Sequence, residues 1–325
     1  MARACVARSV SRIHITLIDL LGGIGRVDGG AGTTLDSPRF IVRTRAVENS
    51  SSIDAKGRYR EIVEKCSRAI LEMICRSCGA EVEVIEGYDL HVGLGAVTQL
   101  CLSTASSLAS SLGLNIESWE IARIVNRGGT SGIGVYAFRL GGFIVDGGHR
   151  YPHDKQEIGP SDLVRAPPPP LISRIEIPIN WGFILIRPRR ASRIYGDRES
   201  IIFREASNIA EEEVWRLSHR LLMGLMPSIA SKDLEGFARH VREIQDLGFK
   251  RIEWSYQDPI VWRLRKTLDE LAIPYGLSSM GPTVYIPCLE NECEETLRAV
   301  LKKADIDIET RITRGRNKGA EIYCE

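Results

Sequence analysis

The chain has 325 residues, enough for two ordinary domains or one large one, and 43 basic against 42 acidic side chains leave a formal charge of +1. That balance speaks against a general nucleic-acid binder, which carries a marked basic excess, and no run of 18 or more uncharged apolar residues is present to cross a membrane. The opening Met1-Ala-Arg-Ala-Cys-Val-Ala-Arg8 lacks the long apolar core of a secretory signal, so a cytoplasmic protein is expected.

In chain order, Ile13, Ile15 and Leu17 alternate with polar residues and predict a half-buried strand. The stretch from Asp19 to Gly32 is too glycine-rich to be expected as regular structure. Ile62, Val63, Cys66, Ala69, Ile70, Met73 and Ile74 recur at three to four residues and predict an amphipathic helix over 59–76, with a strand at 80–86. A second apolar stripe from Val97 to Leu112 predicts a helix stopped by Gly113. A short helix is expected at 118–126, a loop at 128–134 and a hairpin over 135–146 around Gly141-Gly142.

Pro167 to Pro170 form an extended spacer, which sets the expected boundary between domains at 1–170 and 171–325. Beyond it the pattern predicts a buried strand at 181–187 and helices at 206–224, 232–247 and 258–271. A strand pair over 278–287, a helix at 291–304 and strands at 306–312 and 319–324 follow, an α+β arrangement. Cys75-Arg-Ser-Cys78 stands alone, without a second pair or nearby histidines, so neither a zinc site nor a redox pair is expected there. Whether any of the eight cysteines pair is left open.

The 30 glycines cluster at 22–32, 93–95, 128–148 and 276–281, as they do where backbone turns sharply or approaches a ligand. Gly93-Leu-Gly95 opens a helix, where free N–H groups and the positive end of the helix dipole favour an anion. Thr98 and Gln99 in the first turn add side-chain donors. The alternative is a tight loop packed on a sheet. Gly128 to Gly134, with Ser131, and Gly276 to Thr283, with Ser279 and Gly281, are two further loops of small and hydroxyl residues. Asp19, Asp28 and Asp146 beside such loops are of the type that holds Mg²⁺. Arg26 has the planar fork that grips a carboxylate or phosphate. Asx turns for the aspartates and a capping role for His149 are the competing readings. The basic runs at 187–193 and 311–318 read as solvated faces.

Six ordered blocks carry a resemblance. They are Ser11-Arg-Ile-His-Ile-Thr-Leu-Ile-Asp19 with Gly25-Arg-Val-Asp-Gly-Gly30; His91-Val-Gly-Leu-Gly-Ala-Val-Thr-Gln-Leu100; Arg127-Gly-Gly-Thr-Ser-Gly-Ile-Gly134; Gly142-Phe-Ile-Val-Asp-Gly-Gly-His149; Ser278-Ser-Met-Gly-Pro-Thr-Val-Tyr285; and, more weakly, Arg314 to Ala320. Together they resemble the GHMP kinase superfamily and, within it, the β-ribofuranosylaminobenzene 5′-phosphate synthase family of archaeal methanopterin synthesis. The resemblance implies a two-domain GHMP-kinase-like α+β fold with a ferredoxin-like second domain and the ligand site between the halves.

It also implies an Mg²⁺-dependent pentosyltransferase. Such an enzyme joins phosphoribosyl pyrophosphate to 4-aminobenzoate or 4-hydroxybenzoate with loss of CO₂ and pyrophosphate. On that resemblance Asp19, Arg26 and Asp28 are the expected catalytic residues, with Asp19 and Asp28 holding the metal. His14, Gly93, Gly95, Thr98, Gln99, Ser131, Asp146, His149, Ser279, Gly281 and Thr283 are expected to bind substrate or phosphate. A homodimer is the default assembly. The alternative is an ATP-dependent small-molecule kinase of the same superfamily. Against it, Gly134 stands where several such kinases have an aspartate, and Ala96-Val97 where the helix loop usually has Ser-Ser.

Overall fold

The computed structural model describes residues 3–325, the side chain of residue 207 excepted. The first half comprises β1 (Cys5–Arg8), β2 (Ser11–Asp19), β3 (Arg26–Leu35), β4 (Ile41–Glu48), β5 (Ile53–Ala55), α1 (Arg60–Ile74), β6 (Cys78–Glu86), α2 (Ala96–Ser111), α3 (Ser118–Ile124), α4 (Ile133–Leu140), β7 (Phe143–Asp146), β8 (His149–Arg150) and β9 (Leu171–Ile175). The second comprises β10 (Trp181–Pro188), α5 (Asp197–Glu205), α6 (Glu211–Arg220), α7 (Met226–Ala230), α8 (Leu234–Ile244), α9 (Gly248–Ser255), α10 (Pro259–Glu270), β11 (Gly276–Leu277), β12 (Val284–Leu289), α11 (Cys293–Lys303), β13 (Ile308–Arg314) and β14 (Glu321–Cys324).

Three sheets result. One has the order β14-β1-β4-β6-β5, a second β2-β3-β7-β9 with β8 beside β3, and a third β11-β12-β10-β13. Helices α1 and α2 cover the first sheet, joined by a disulfide between Cys66 and Cys101. The third sheet has its own apolar core, in which Ile184, Ile186, Val284 and Ile286 meet Trp254 and Leu264. The expected division at 170/171 does not follow the sheets. Strand β9, residues 171–175, pairs with β7, and β14 returns to pair with β1 opposite Cys5, where Cys5 and Cys324 are disulfide-bonded.

Several sequence expectations are corrected. The hairpin over 135–146 is α4 followed by β7. Val135 to Phe138 are all buried, and a short apolar run does not distinguish strand from helix by its period. Gly141 and Gly142, both at positive φ, end the helix rather than turn a hairpin. The glycine-rich segment after Gly25 is the regular strand β3. A β-carbon at Gly32 would lie 2.4 Å from Ile133 and 2.5 Å from the Ile13 carbonyl, so glycine there lets α4 rest on the sheet.

The helix expected at 206–224 starts earlier, at Asp197, breaks near Ile209, and resumes through α6 and a π turn at 221–225. The unexpected helix α9 buries Phe249, Lys250, Ile252, Glu253 and Trp254, so it shows no one-sided stripe. Finally, Cys75 pairs with Cys78 and Cys288 with Cys293, so all eight cysteines are bonded.

Candidate active site

A cleft of about 970 Å³, counting its open mouth, lies where β2, the start of α2, the loop before α4, α5, α9 and the loop before β12 meet. Its floor is the 93–95 turn. Gly93 and Gly95 both have positive φ, and a β-carbon on Gly93 would lie 2.2 Å from the Ser278 carbonyl oxygen. Ser278 Oγ donates to the Gly93 carbonyl at 2.7 Å, and Arg12 Nη1 donates to the same oxygen at 2.5 Å. The turn is thus clamped between β2 and the Ser278–Gly281 loop. Ala96, Val97 and Thr98 line the cleft, and as the first residues of α2 their N–H groups have no intrahelical acceptor.

Cationic groups surround that helix end. Burial lowers the Arg12 guanidinium to about 10, still charged at neutral pH, and its Nε is buried without a partner. Arg127 donates from Nε to Thr98 Oγ1 at 3.2 Å and pairs with Asp162. Burial opposes ionisation of Asp162, but Arg127 outweighs it and holds the carboxyl below its usual range. His91, at φ +56°, stacks on Tyr195 with ring centroids 4.7 Å apart.

A polar relay lines the β2 side. His14 Nε2 lies 3.1 Å from Ser131 Oγ, which donates to Asp146 Oδ2 at 3.2 Å. Because Ser131 gives its proton to Asp146, His14 donates from Nε2, and Nδ1 is left unprotonated and buried without a partner. Burial, then the neighbouring Arg12 and Lys250 charges, hold His14 well below the usual imidazole range, so the ring is neutral at pH 7. Asp146 also accepts N–H bonds from Gly132 at 2.9 Å and Gly148 at 3.0 Å. Burial raises it to about 6. Gly30 makes room for the relay: its β-carbon would meet Ser131, Asp146 and His14 at 3.1–3.3 Å.

Of the residues expected from sequence, His14, Gly93, Gly95, Thr98, Ser131, Ser279 and Gly281 line this cleft. Asp146 is buried behind Ser131, which it holds in the relay, and the others stand outside the cleft. Gln99 is fully buried and ties α2 to the Gly134 carbonyl at 2.8 Å. Thr283 is buried and its carbonyl accepts the Ser278 N–H. Arg26 donates to the Gly147 and Gly148 carbonyls, both at 2.8 Å. Asp19 accepts the Leu21 N–H at 2.7 Å, an Asx-type turn.

Asp28 is corrected as a metal or catalytic carboxylate. Its side chain is shut from solvent, with Lys155 Nζ at 2.8 and 3.0 Å and His149 Nδ1 at 2.7 Å. His149 is spent in turn, its Nε2 on the Pro167 carbonyl. A buried ammonium already neutralises Asp28, so the Asp19–Asp28 pair does not fit Mg²⁺. Among the described residues, no three His, Cys, Asp or Glu side chains converge to hold a metal.

Sequence reasoning missed Arg12, His91, Arg127, Asp162, Glu199 and Glu253. Arg12 shares the face of His14 by the two-residue period of a strand, a signal that was present. Asp162, Glu199 and Glu253 come from three separate later segments with no local mark.

Residues 61–142 match the GHMP kinases N terminal domain. The chain is 39% identical to the beta-ribofuranosylphenol 5′-phosphate synthase of Archaeoglobus fulgidus, over 97% of this chain and 98% of that one. It is 39% identical to the protein of that name from Methanothermobacter thermautotrophicus, over 97% of each chain. With the one from Methanocaldococcus jannaschii the figure is 34%, over 98% of this chain and all of that one. Among solved structures, homoserine kinase from Cytophaga hutchinsonii superposes with a TM-score of 0.65 at 16% identity, covering 99% of this chain and 98% of that one. Mevalonate diphosphate decarboxylase from Enterococcus faecalis gives 0.65 at 14% identity, covering 99% of each. These two share the fold. No helix of the described residues is long and apolar enough to cross a membrane. With three relatives above 30% identity along essentially its whole length, the chain belongs to the beta-ribofuranosylphenol 5′-phosphate synthase family, built on the GHMP kinase fold.

Proposed function

We propose that the protein condenses phosphoribosyl pyrophosphate with 4-hydroxybenzoate or 4-aminobenzoate, releasing pyrophosphate and CO₂ and leaving a C-riboside 5′-phosphate for methanopterin synthesis. The observation that carries this reading in the structure is the anion-binding end of the cleft. The open N-terminus of α2 and the Arg12 and Arg127 guanidiniums converge there on the space above Gly93 and Gly95. Departure of pyrophosphate leaves a cationic sugar and a multiply charged anion that needs donors already in place. Backbone N–H groups at a helix start and forked guanidiniums supply them without reorganisation. The ring carbon bearing the carboxylate then attacks the sugar, and loss of CO₂ restores aromaticity, so no base is needed for a ring proton.

The substrate is taken as its magnesium complex in this proposal, the ion arriving on the pyrophosphate oxygens, where Mg²⁺ is commonly carried. The kinase reading has less support. Gly134 stands where several kinases of the fold place an aspartate, and a β-carbon there would meet Thr98 Cγ2 at 3.1 Å, so Thr98 would have to give by a few tenths of an ångström to admit one. A homodimer in the cytoplasm remains the proposed setting. Trp215, Leu222 and Met223 stand well exposed along one helical segment, and they offer it an apolar face. Pyrophosphate release measured with each arene, and separately with ATP and no arene, tests the assignment. Release that depends on phosphoribosyl pyrophosphate and arene supports it, and turnover of ATP alone contradicts it.

A further inference from the structure

The same cleft has a second group of lining residues of different chemistry. Leu17, Ile194, Phe203, Phe249 and Met280 form a buried apolar surface, with the Phe203 and Phe249 rings 4.9 Å apart. An oligophosphate has no use for such a surface, whereas a flat arene does. Two carboxylates stand one turn from these rings, Glu253 from Phe249 on α9 and Glu199 from Phe203 on α5, and Glu253 is already ion-paired with Lys250. Glu199 and Phe203 are one turn apart on α5, so both project from that helix to the same side, and both line the cleft.

We propose that Glu199 receives the para-substituent of the arene and accepts its O–H or N–H proton while the ring attacks the sugar. This rests on the function proposed above and names the residue that makes the ring carbon nucleophilic. In the first step the bond from the sugar C1′ to pyrophosphate breaks, with its electron pair leaving on pyrophosphate. The ring carbon bearing the carboxylate bonds to C1′, the para O–H pair moves into the ring, and Glu199 takes the proton. In the second step the bond to the carboxylate breaks. Its pair restores the aromatic ring, CO₂ departs, and Glu199 returns the proton to the para oxygen. Protons and electrons balance over the two steps.

The surroundings suit a base. The charged groups facing Glu199 are Asp162 and Arg127 from the loops near the mouth, Glu253 from α9 and Arg12 from β2. Burial first, then Asp162, push the carboxyl up to about 8, between an ordinary carboxylate and a phenol. As the ionised form is the active one, the rate rises with pH through that value.

The test uses the full protein with phosphoribosyl pyrophosphate, magnesium and two carboxyl-labelled arenes, 4-hydroxybenzoate and 4-methoxybenzoate, the latter having no proton to give. For wild type with the hydroxy arene, kcat should climb through about pH 8 and level off. Glu199→Gln should lower that kcat by roughly 100-fold or more, the low end of general-base effects, and abolish the limb. The KM for phosphoribosyl pyrophosphate should stay within about twofold. Glu199→Asp should recover part of the rate. With 4-methoxybenzoate, wild type and Glu199→Gln should be equally slow. Wild-type kcat and pH limb in Glu199→Gln, or an equal loss with both arenes, overturns the role of Glu199 while leaving the function standing. A wild-type protein silent with 4-hydroxybenzoate and 4-aminobenzoate overturns both.

Discussion

Replacing Gly93 by alanine perturbs the floor of the cleft where it meets the Ser278–Gly281 loop. The new β-carbon would sit 2.2 Å from the Ser278 carbonyl oxygen and 3.3 Å from that of Gly281, where ordinary contact begins at 3.4 Å, so the turn and the Ser278–Gly281 loop must part by about 1.2 Å. Both neighbours are backbone, and Ser278 is itself bonded to Gly93 and to the His14 N–H, so neither yields cheaply. The movement falls on the N–H groups that open α2. A misplacement of about 1 Å in a substrate-positioning element costs on the order of 100-fold in rate. The left-handed φ of +85° adds roughly 1–2 kcal/mol of strain for a residue with a β-carbon.

Gly113 separates the two effects. Its φ is +76°, and a β-carbon there meets nothing within 4 Å. Gly113→Ala should therefore lose a few degrees of unfolding midpoint, about 2 °C per kcal/mol in a chain of this size, and keep full activity. Gly93→Ala should lose about 100-fold in kcat/KM for phosphoribosyl pyrophosphate. Steady-state kinetics and thermal unfolding of both variants read this out. Undiminished kcat/KM in a folded Gly93→Ala protein would refute the placement of the pyrophosphate over this turn.

Three further outcomes follow from the same geometry. Asp28→Asn leaves the fully buried Lys155 ammonium without its counter-charge, which should destabilise the fold by about 3–5 kcal/mol. Urea unfolding measures it, and unchanged stability with lost turnover would return Asp28 to the reaction. Arg127→Ala removes a guanidinium from the mouth and a bond to Thr98, and should raise the KM for phosphoribosyl pyrophosphate about tenfold or more. An unchanged KM would remove Arg127 from the anion site. Arg26→Ala frees the Gly147-Gly148 turn, whose Gly148 N–H holds Asp146 and through it Ser131 and His14. It should therefore lower kcat with either arene rather than raise one KM selectively. A selective rise in the KM of one substrate would instead make Arg26 a ligand.

How much of this was legible depended on whether the signal was local. The helix start at Gly93-Leu-Gly95 was readable because glycine, left-handed turn and open N–H groups are properties of adjacent residues. So was the loop carrying Ser131. The aspartates misled for a related reason. Asp19, Asp28 and Asp146 share the glycine-rich context of a site, yet what decides the fate of Asp28 is Lys155, 127 residues away in sequence and buried against it. The hairpin expected where α4 stands failed because an apolar run buried all round has no period to read. Glu199, Asp162 and Glu253 were invisible, since only the folding of three distant segments onto one cleft gives those carboxylates a common purpose. The ten-residue strand β3 was hidden by its own glycines, which are there to admit α4 and the His14 relay.

The central claim is that one cleft carries out ribosyl transfer and decarboxylation together, and release of labelled CO₂ from carboxyl-labelled 4-hydroxybenzoate and 4-aminobenzoate tests it most directly. Release is expected only when arene, phosphoribosyl pyrophosphate and magnesium are all present, in step with pyrophosphate. Pyrophosphate formed without CO₂, or no release of either from folded protein with both arenes, would contradict it.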